Sequence, residues 1–411
     1  MTRNGITASM RATVAARPIH VTHMITCLNP GGAENMLYRL LAATDRANCS
    51  TDVVSLMGVG ILGERLRREL GIRVRALGLD SGFPNPMALF RLIRWLRADP
   101  PDVLATWMYH ANLLGSVAAA AAGGIPVVWG LHHSKLDPSI EKQRTIRIAR
   151  ASGWLSHRYT ARIICCSEAT RQEHLRLGYD PGRLEVICNG FDTTALRPDP
   201  CARLSVRAEL GLPPHARIVT LAARFHAQKD HRNFLQAGSL LLRRVPDTWL
   251  LMCGQDVRPE NILLAWLIRE VGLEGRALVL GSRDDVGRLF AASNAACLSS
   301  VEGEAFPLAI GEAMACGVPC VVTDVGDSGF LVGDTGFTVP PRNPGALANA
   351  LATLLEMPAA DYRVLSERAR ARVKENFELS RIAERYHDVY RRAAGVAPAA
   401  AHPEPVAGGV R

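Results

Sequence analysis

Lys229 is one of four lysines in a chain that carries 44 arginines, so its chemical type stands out from the background. It closes the run Arg224-Phe-His-Ala-Gln-Lys229, directly after the apolar segment 217–222. Two cations at the carboxyl edge of a sheet can clamp a diphosphate leaving group, arginine as a planar fork and lysine as a point charge. The plainer alternative is a solvated loop pair. Glu304 and Glu312 flank a Phe306-Pro307 turn and precede AMACGVP. Pro307 fits the first position of a helix, which leaves Glu304 in the loop before it and Glu312 more than one turn inside. Their separation along the axis is then roughly 7 to 10 Å, suited to one carboxylate on a sugar hydroxyl and the other on a ribose. The first strand ends in TCLNPGGAENM, which places Gly31-Gly32 between a strand and a helix. Such a pair lets backbone amides approach a diphosphate, or simply makes a tight strand-to-helix turn. The spacing is not GxGxxG, which disfavours a dinucleotide dehydrogenase.

These residues need strand ends to hold them. Short β-branched runs are predicted at His20 to Thr26, Asp52 to Leu56, Val103 to Thr106, Val127 to Gly130 and Arg162 to Cys165. A second set follows at Arg217 to Ala222, Thr248 to Cys253, Ala277 to Leu280 and Val318 to Thr323. Stretches of helical spacing lie between them, among them Asn35 to Ala43, Pro86 to Leu96 and Arg232 to Leu242. This alternation predicts an α/β chain with parallel sheets wrapped by helices. Four prolines between 197 and 217 bracket one short helical piece and mark a linker at 198–216. The expected organisation is a first domain over 18–197, a second over 217–376 and a C-terminal helix over 377–392 that crosses back to the first. Residues 1–17 and 393–411 are expected to be disordered.

The chain has 411 residues, a net charge of +9 and 48% hydrophobic content, as expected of a globular protein of two or three domains. No apolar run reaches the roughly 20 residues of a membrane-spanning helix, and the N-terminus lacks the apolar stretch of a secretory signal. The charge is uneven: residues 1–200 hold 24 basic and 16 acidic side chains, and 201–411 hold 24 and 23. The basic residues form no runs or patches, so nucleic acid is not an expected partner. Ten cysteines occur without a CxxC, which indicates reduced core thiols and a cytoplasmic chain. No DxD and no metal-spaced histidine–carboxylate group occurs, so neither a metal nor any other cofactor is expected.

GEAFPLAIGEAMACGVPCVVTD, Arg224 with Lys229, the Gly31-Gly32-Ala33-Glu34 loop, CSEAT at 166–170 and ICNGFD at 187–192 together resemble the group 1 retaining glycosyltransferases, family four. The resemblance runs over about residues 20 to 390. It implies the GT-B fold, two Rossmann-like domains facing a central cleft. It further implies that Gly32 lies against the diphosphate of a nucleotide sugar and that Arg224 and Lys229 neutralise it. Glu304 would hold donor-sugar hydroxyls, Glu312 the ribose, and His110 would stand beside the reacting centre. Gly31, Arg283, Val286, Ala305, Phe306, Pro307 and Leu308 complete the implied donor site, and His132, His133 and Lys135 the acceptor side. His132 and His133 also end a strand and are alternatives to His110. Ala305 stands where many members carry glycine, and Ala223 replaces the usual glycine before the arginine.

TWMYHANLLG, GLHHSKLD and LVGDTG resemble members that act in bacterial surface polysaccharide assembly. The expected partners are therefore a nucleotide sugar, a glycan or lipid-linked acceptor, and an anionic membrane surface at the inner face. In 141–157, Lys142, Arg144, Arg147 and Arg150 alternate with Ile140, Ile146, Ile148, Trp154 and Leu155, as in a basic amphipathic surface helix. An ordinary outer helix with a solvated face has the same pattern. An epimerase or phosphorylase on the same architecture, and a nucleotide-sugar-binding regulator, are the rival functions.

Overall fold

The computed structural model describes residues 17–80, 86–136 and 143–396. The stretches expected to be disordered lie outside these residues, apart from Arg17 and 393–396. The chain begins β1 (Ile19–Ile25), α1 (Gly32–Ala43), β2 (Cys49–Ser55), α2 (Gly60–Leu70), β3 (Val74–Ala76), α3 (Pro86–Ala98) and β4 (Val103–Trp107). It continues α4 (Tyr109–Ala121), β5 (Val127–Leu131), α5 (Gln143–Tyr159), β6 (Arg162–Cys165), α6 (Glu168–Arg176) and β7 (Leu184–Val186). The seven strands form one parallel sheet in the order β3-β2-β1-β4-β5-β6-β7. Helices cover both faces, so the central strands are buried along nearly their whole length; all five residues of β4 are buried.

The second half runs α7 (Pro200–Glu209), β8 (Arg217–Ala222), α8 (His231–Arg244), β9 (Thr248–Cys253), α9 (Ile262–Glu270), β10 (Ala277–Val279), α10 (Val286–Ala292) and β11 (Ala295–Leu298). Then come α11 (Leu308–Ala315), β12 (Cys320–Thr323), α12 (Ser328–Val332), β13 (Phe337–Val339), α13 (Pro344–Glu356), α14 (Ala359–Asn376) and α15 (Leu379–Ala393). Its six strands are parallel in the order β10-β9-β8-β11-β12-β13. Each sheet therefore has one switch point where the strand order reverses, β1/β4 in the first and β8/β11 in the second. Ligands of such sheets bind beyond the carboxyl ends at that point.

The proline-bracketed segment after 197 is no free tether. Asp199 accepts from the Cys201 N–H at 2.8 Å to cap α7, and Pro200 opens the helix. Val206, Leu212 and Ala216 then join a core with Ile218, Leu251 and Leu289 of the second domain. Buried Arg207 donates to the carbonyls of Ala216 and Ala292 at 2.8 and 3.1 Å. The prolines mark the ends of a packed helix.

The chain passes between the domains twice, and the two passages touch. Phe191 N–H donates to Phe377 O and Leu379 N–H to Phe191 O, at 2.9 and 3.0 Å. The Glu378 carboxylate accepts from the Thr193 hydroxyl. α15 then buries Ile382, Ala383, Tyr386, Val389 and Tyr390 in the core that contains Ile19, Val21 and Trp107. Among the described residues no helix is long and apolar enough to cross a membrane.

Candidate active site

At the second switch point, the loops after β8 and β11 are tied by an ion pair. Lys229 Nζ donates to Glu304 Oε1, and Ser300 Oγ donates to the same oxygen at 2.6 Å. The two side chains are 19% and 7% exposed. Ser299 Oγ donates to Lys229 O at 2.7 Å, and Val301 N–H to Gln228 O at 2.9 Å, so backbone as well as side chains join the loops. Two glycines allow this closeness. A Cβ on Gly326, at φ +54°, would fall 1.6 Å from Glu304 O, and one on Gly303, at φ +73°, 2.1 Å from Gln228 Nε2. Arg224 is exposed on the same loop and donates to Gln228 Oε1 at 3.3 Å.

α11 starts at Leu308 with Pro307 as its cap, one residue later than expected, because Pro307 takes an extended ψ of 108°. Glu304 lies in the preceding loop, and Glu312 is the fifth helical residue. Phe306 is turned into the core against Phe191 and Phe377, at centroid distances of 6.3 and 5.2 Å, and its carbonyl accepts from Asn189 Nδ2 at 3.2 Å. Ala305 is buried as well, so this turn offers a ligand mainly backbone. Arg283 is engaged by Asp285 at 2.7 Å and Glu209 at 2.9 Å. Those hydrogen bonds raise its pKa. It anchors the loop that leads to Val286 at the start of α10.

Across the cleft, Gly31 caps α1 in extended conformation and Gly32 opens the helix. A Cβ on Gly32 would meet nothing within 4 Å, whereas one on Gly31 would fall 2.3 Å from Glu34 Oε2. Packing therefore does not require a glycine at 32. The Glu34 carboxyl accepts from Cys27 Sγ at 3.5 Å, and burial raises its pKa. At the other side of the first switch point, Met108 stands at φ 70°, ψ 164°, a region that glycine alone adopts without strain. It aims the start of α4, where His110 is half-buried. Burial, followed by the charge of Arg144, lowers the His110 pKa. His132 stacks on Trp107 at 4.9 Å and 15°; its Nε2 is buried without a partner among the described residues, and burial lowers its pKa to about 4. His133 faces the Tyr109 ring at 6.5 Å.

Among the described residues, ionic and helix-capping contacts join the domains over this cleft. Arg39 of α1 donates through Nη2 to Glu312 Oε1. Lys135 pairs with Glu302 at 2.6 Å. The Asp327 carboxylate accepts the Glu168 and Ala169 N–H groups at 2.8 and 2.9 Å and so covers the N-terminus of α6. Glu312 and Lys135 were expected at the site; Arg39, Glu302 and Asp327 were not. Their partners lie on the other domain, and no local spacing announces them.

The sequence matches the profile for Glycosyltransferase Family 4 over residues 30–195 and that for Glycosyl transferases group 1 over 216–357. The chain belongs to the group 1 glycosyltransferases, family four. Among similar proteins, the UDP-Gal:alpha-D-GlcNAc-diphosphoundecaprenol alpha-1,3-galactosyltransferase of Escherichia coli is 25% identical over 74% of this chain and 78% of its own. N-acetyl-alpha-D-glucosaminyl L-malate synthase of Bacillus anthracis is 33% identical over 45% and 48%, and a D-inositol 3-phosphate glycosyltransferase of Rhodococcus jostii 31% over 53% and 49%. The chain thus spans about half the length of the latter two relatives. Anabaena HepE, solved with UDP and glucose, superposes with a TM-score of 0.79 at 23% identity, over 91% of this chain and all of that one. Sucrose-phosphate synthase of Thermosynechococcus elongatus gives 0.76 at 21%, over 91% and 98%. The fold of this glycosyltransferase is GT-B, with two parallel-sheet, Rossmann-like domains.

Proposed function

We propose that this glycosyltransferase moves a hexose from a nucleotide diphosphate sugar to a glycan or lipid-linked acceptor of surface polysaccharide synthesis, with retention and without a divalent metal. The observation that carries the reading is the Lys229–Glu304 pair, which joins both loops of the second switch point. Lys229 and Arg224 meet the charge that develops on the departing diphosphate. Glu304 accepts from donor-sugar hydroxyls, Glu312 from the ribose, and Gly32 gives the diphosphate access to the α1 amides. The acceptor hydroxyl attacks the anomeric carbon on the face the nucleotide leaves. The new C–O bond forms as the bond to the diphosphate breaks, and the hydroxyl proton passes to a diphosphate oxygen. His110, neutral through burial, orients the sugar.

The acceptor assignment draws on the name of the Escherichia coli relative, whose substrate is a diphosphoundecaprenol. α5 supports a membrane-side acceptor. Ile146, Ala149 and Ser156 face inward, while Arg147, Arg150 and Arg158 surround Trp154, which is 77% exposed. Lys142 and Ile140 lie outside the described residues. The test is release of nucleoside diphosphate from a panel of nucleotide sugars, with and without lipid-linked glycan. Acceptor-dependent release that EDTA leaves unchanged is expected; release without acceptor, or none with any donor, overturns the proposal.

A further inference from the structure

We propose that Arg39 is a second reader of the donor ribose, and that together with Glu312 it forms a two-domain site for the 2′,3′-diol. The inference rests on the reading that Glu312 serves the ribose. Arg39 lies two turns into α1, the helix that Gly32 opens, and Glu312 lies on α11, the helix that follows the Glu304 loop. The pair thus connects the helices behind both phosphate-side loops. One guanidinium nitrogen, Nη2, is spent on Glu312 Oε1. The other, Nη1, is buried and has no hydrogen-bond partner among the described residues. A buried N–H donor on a charged group is costly to leave unmade, so a partner is called for at this position. Glu312 keeps its second oxygen, Oε2, to accept.

A neutral pair with one open acceptor and one open donor matches a vicinal diol. One hydroxyl donates to the carboxylate, and the oxygen of the other accepts from the guanidinium. Glu312 alone could only accept, so it would bind any hydroxyl in reach. Arg39 adds the requirement for a second oxygen at a fixed distance, since its planar fork is already oriented by the carboxylate. The two residues come from different domains, so a bound ribose would also stabilise the closed cleft. Diphosphate contact by Nη1 is the competing assignment, and it predicts dependence on phosphate and not on the ribose hydroxyls.

The experiment measures binding by thermal shift and titration calorimetry for wild type, R39A, R39K, E312A and the double variant R39A/E312A. The probe is whichever of UDP, GDP and ADP raises the wild-type melting temperature, paired with its 2′,3′-dideoxy analogue. Wild type is expected to prefer the ribonucleotide by about a hundredfold or more, from two lost charged hydrogen bonds. R39A and E312A should each lose most of that preference, and the double variant should do no worse than the poorer single. R39K, with its charge but not its fork, should not restore the preference. R39A should raise the donor KM and leave kcat unchanged, whereas misfolding would lower kcat at constant KM. If E312A loses the preference and R39A keeps it, Arg39 does not read the ribose and the inference falls alone. Equal loss of ribo and dideoxy nucleotides in R39A assigns the residue to the diphosphate and overturns it as well. If wild type shows no preference, or binds no nucleotide, the ribose role of Glu312 falls and takes this inference with it.

Discussion

Replacing Lys229 with alanine leaves Glu304 as a carboxylate only 7% exposed, with Ser300 Oγ at 2.6 Å as its remaining partner. Removing one member of a buried ion pair costs about 3 to 5 kcal/mol, and the surviving serine contact argues for the lower end. Glu304→Ala strands a cation that is 19% exposed on a flexible stem. It can turn to water, so its loss should cost about 1 to 2 kcal/mol. The double variant K229A/E304A strands neither charge and should be less destabilised than the singles summed, with a coupling of about 1 to 3 kcal/mol. For a domain of this size, the K229A loss corresponds to about 6 to 12 °C in melting temperature. Urea unfolding of the four proteins, followed by the second-domain transition, provides the assay. All should remain folded at 20 °C, and transfer should be lost in every variant, since stability is partly restored in the double variant but the leaving-group cation is not. The reasoning fails if K229A is no more destabilising than E304A, or if the double variant shows the full sum.

Two further perturbations act elsewhere around the cleft. Gly326→Ala combines a left-handed φ with a Cβ 1.6 Å from Glu304 O, whereas Gly71→Ala, at φ +60° with nothing within 4 Å, has the left-handed penalty alone. Thermal melts should show Gly71→Ala costing about 1 to 2 kcal/mol and Gly326→Ala clearly more, with a raised donor KM only for the latter. The His110 imidazole has its pKa lowered below the usual 6.5, so it is neutral at pH 7 and gains its proton only as the pH falls past that lowered value. A profile of kcat/KM should be flat through neutrality and decline on the acid side; Arg144→Gln, which removes a repelling charge, should move that decline to higher pH.

Where a segment forms its structure from its own neighbours, the sequence was a sufficient guide. β6, β8 and β9 begin and end where their β-branched runs do. β12 starts at Cys320 and not Val318, since Pro319 has no N–H for a ladder. β11 sits at the centre of its sheet although Ala-Ala-Cys-Leu has little strand propensity, because burial on both faces makes it extended. β3, β7 and β13 are three residues each, too short to show a period. The site divides in the same way. Lys229, Glu304 and Glu312 stood out through rarity or spacing. Arg39 is one of 44 arginines, and only the placement of one domain on the other brings it to Glu312.

The return of α15 to the first domain sets an order of events during synthesis. The core around Ile19, Val21 and Trp107 is complete only when Ile382, Tyr386 and Tyr390 reach it. Some 190 residues separate the two passages between domains, so a ribosome adding 5 to 20 residues per second leaves that face uncovered for about 10 to 40 s. During that interval the second domain can close its own cores while the first waits with apolar surface open to chaperones or to other nascent chains. A gene cut between the domains would keep the first domain in that state permanently, so residues 17–195 produced alone should accumulate as aggregate, and supplying α15 in trans should rescue them.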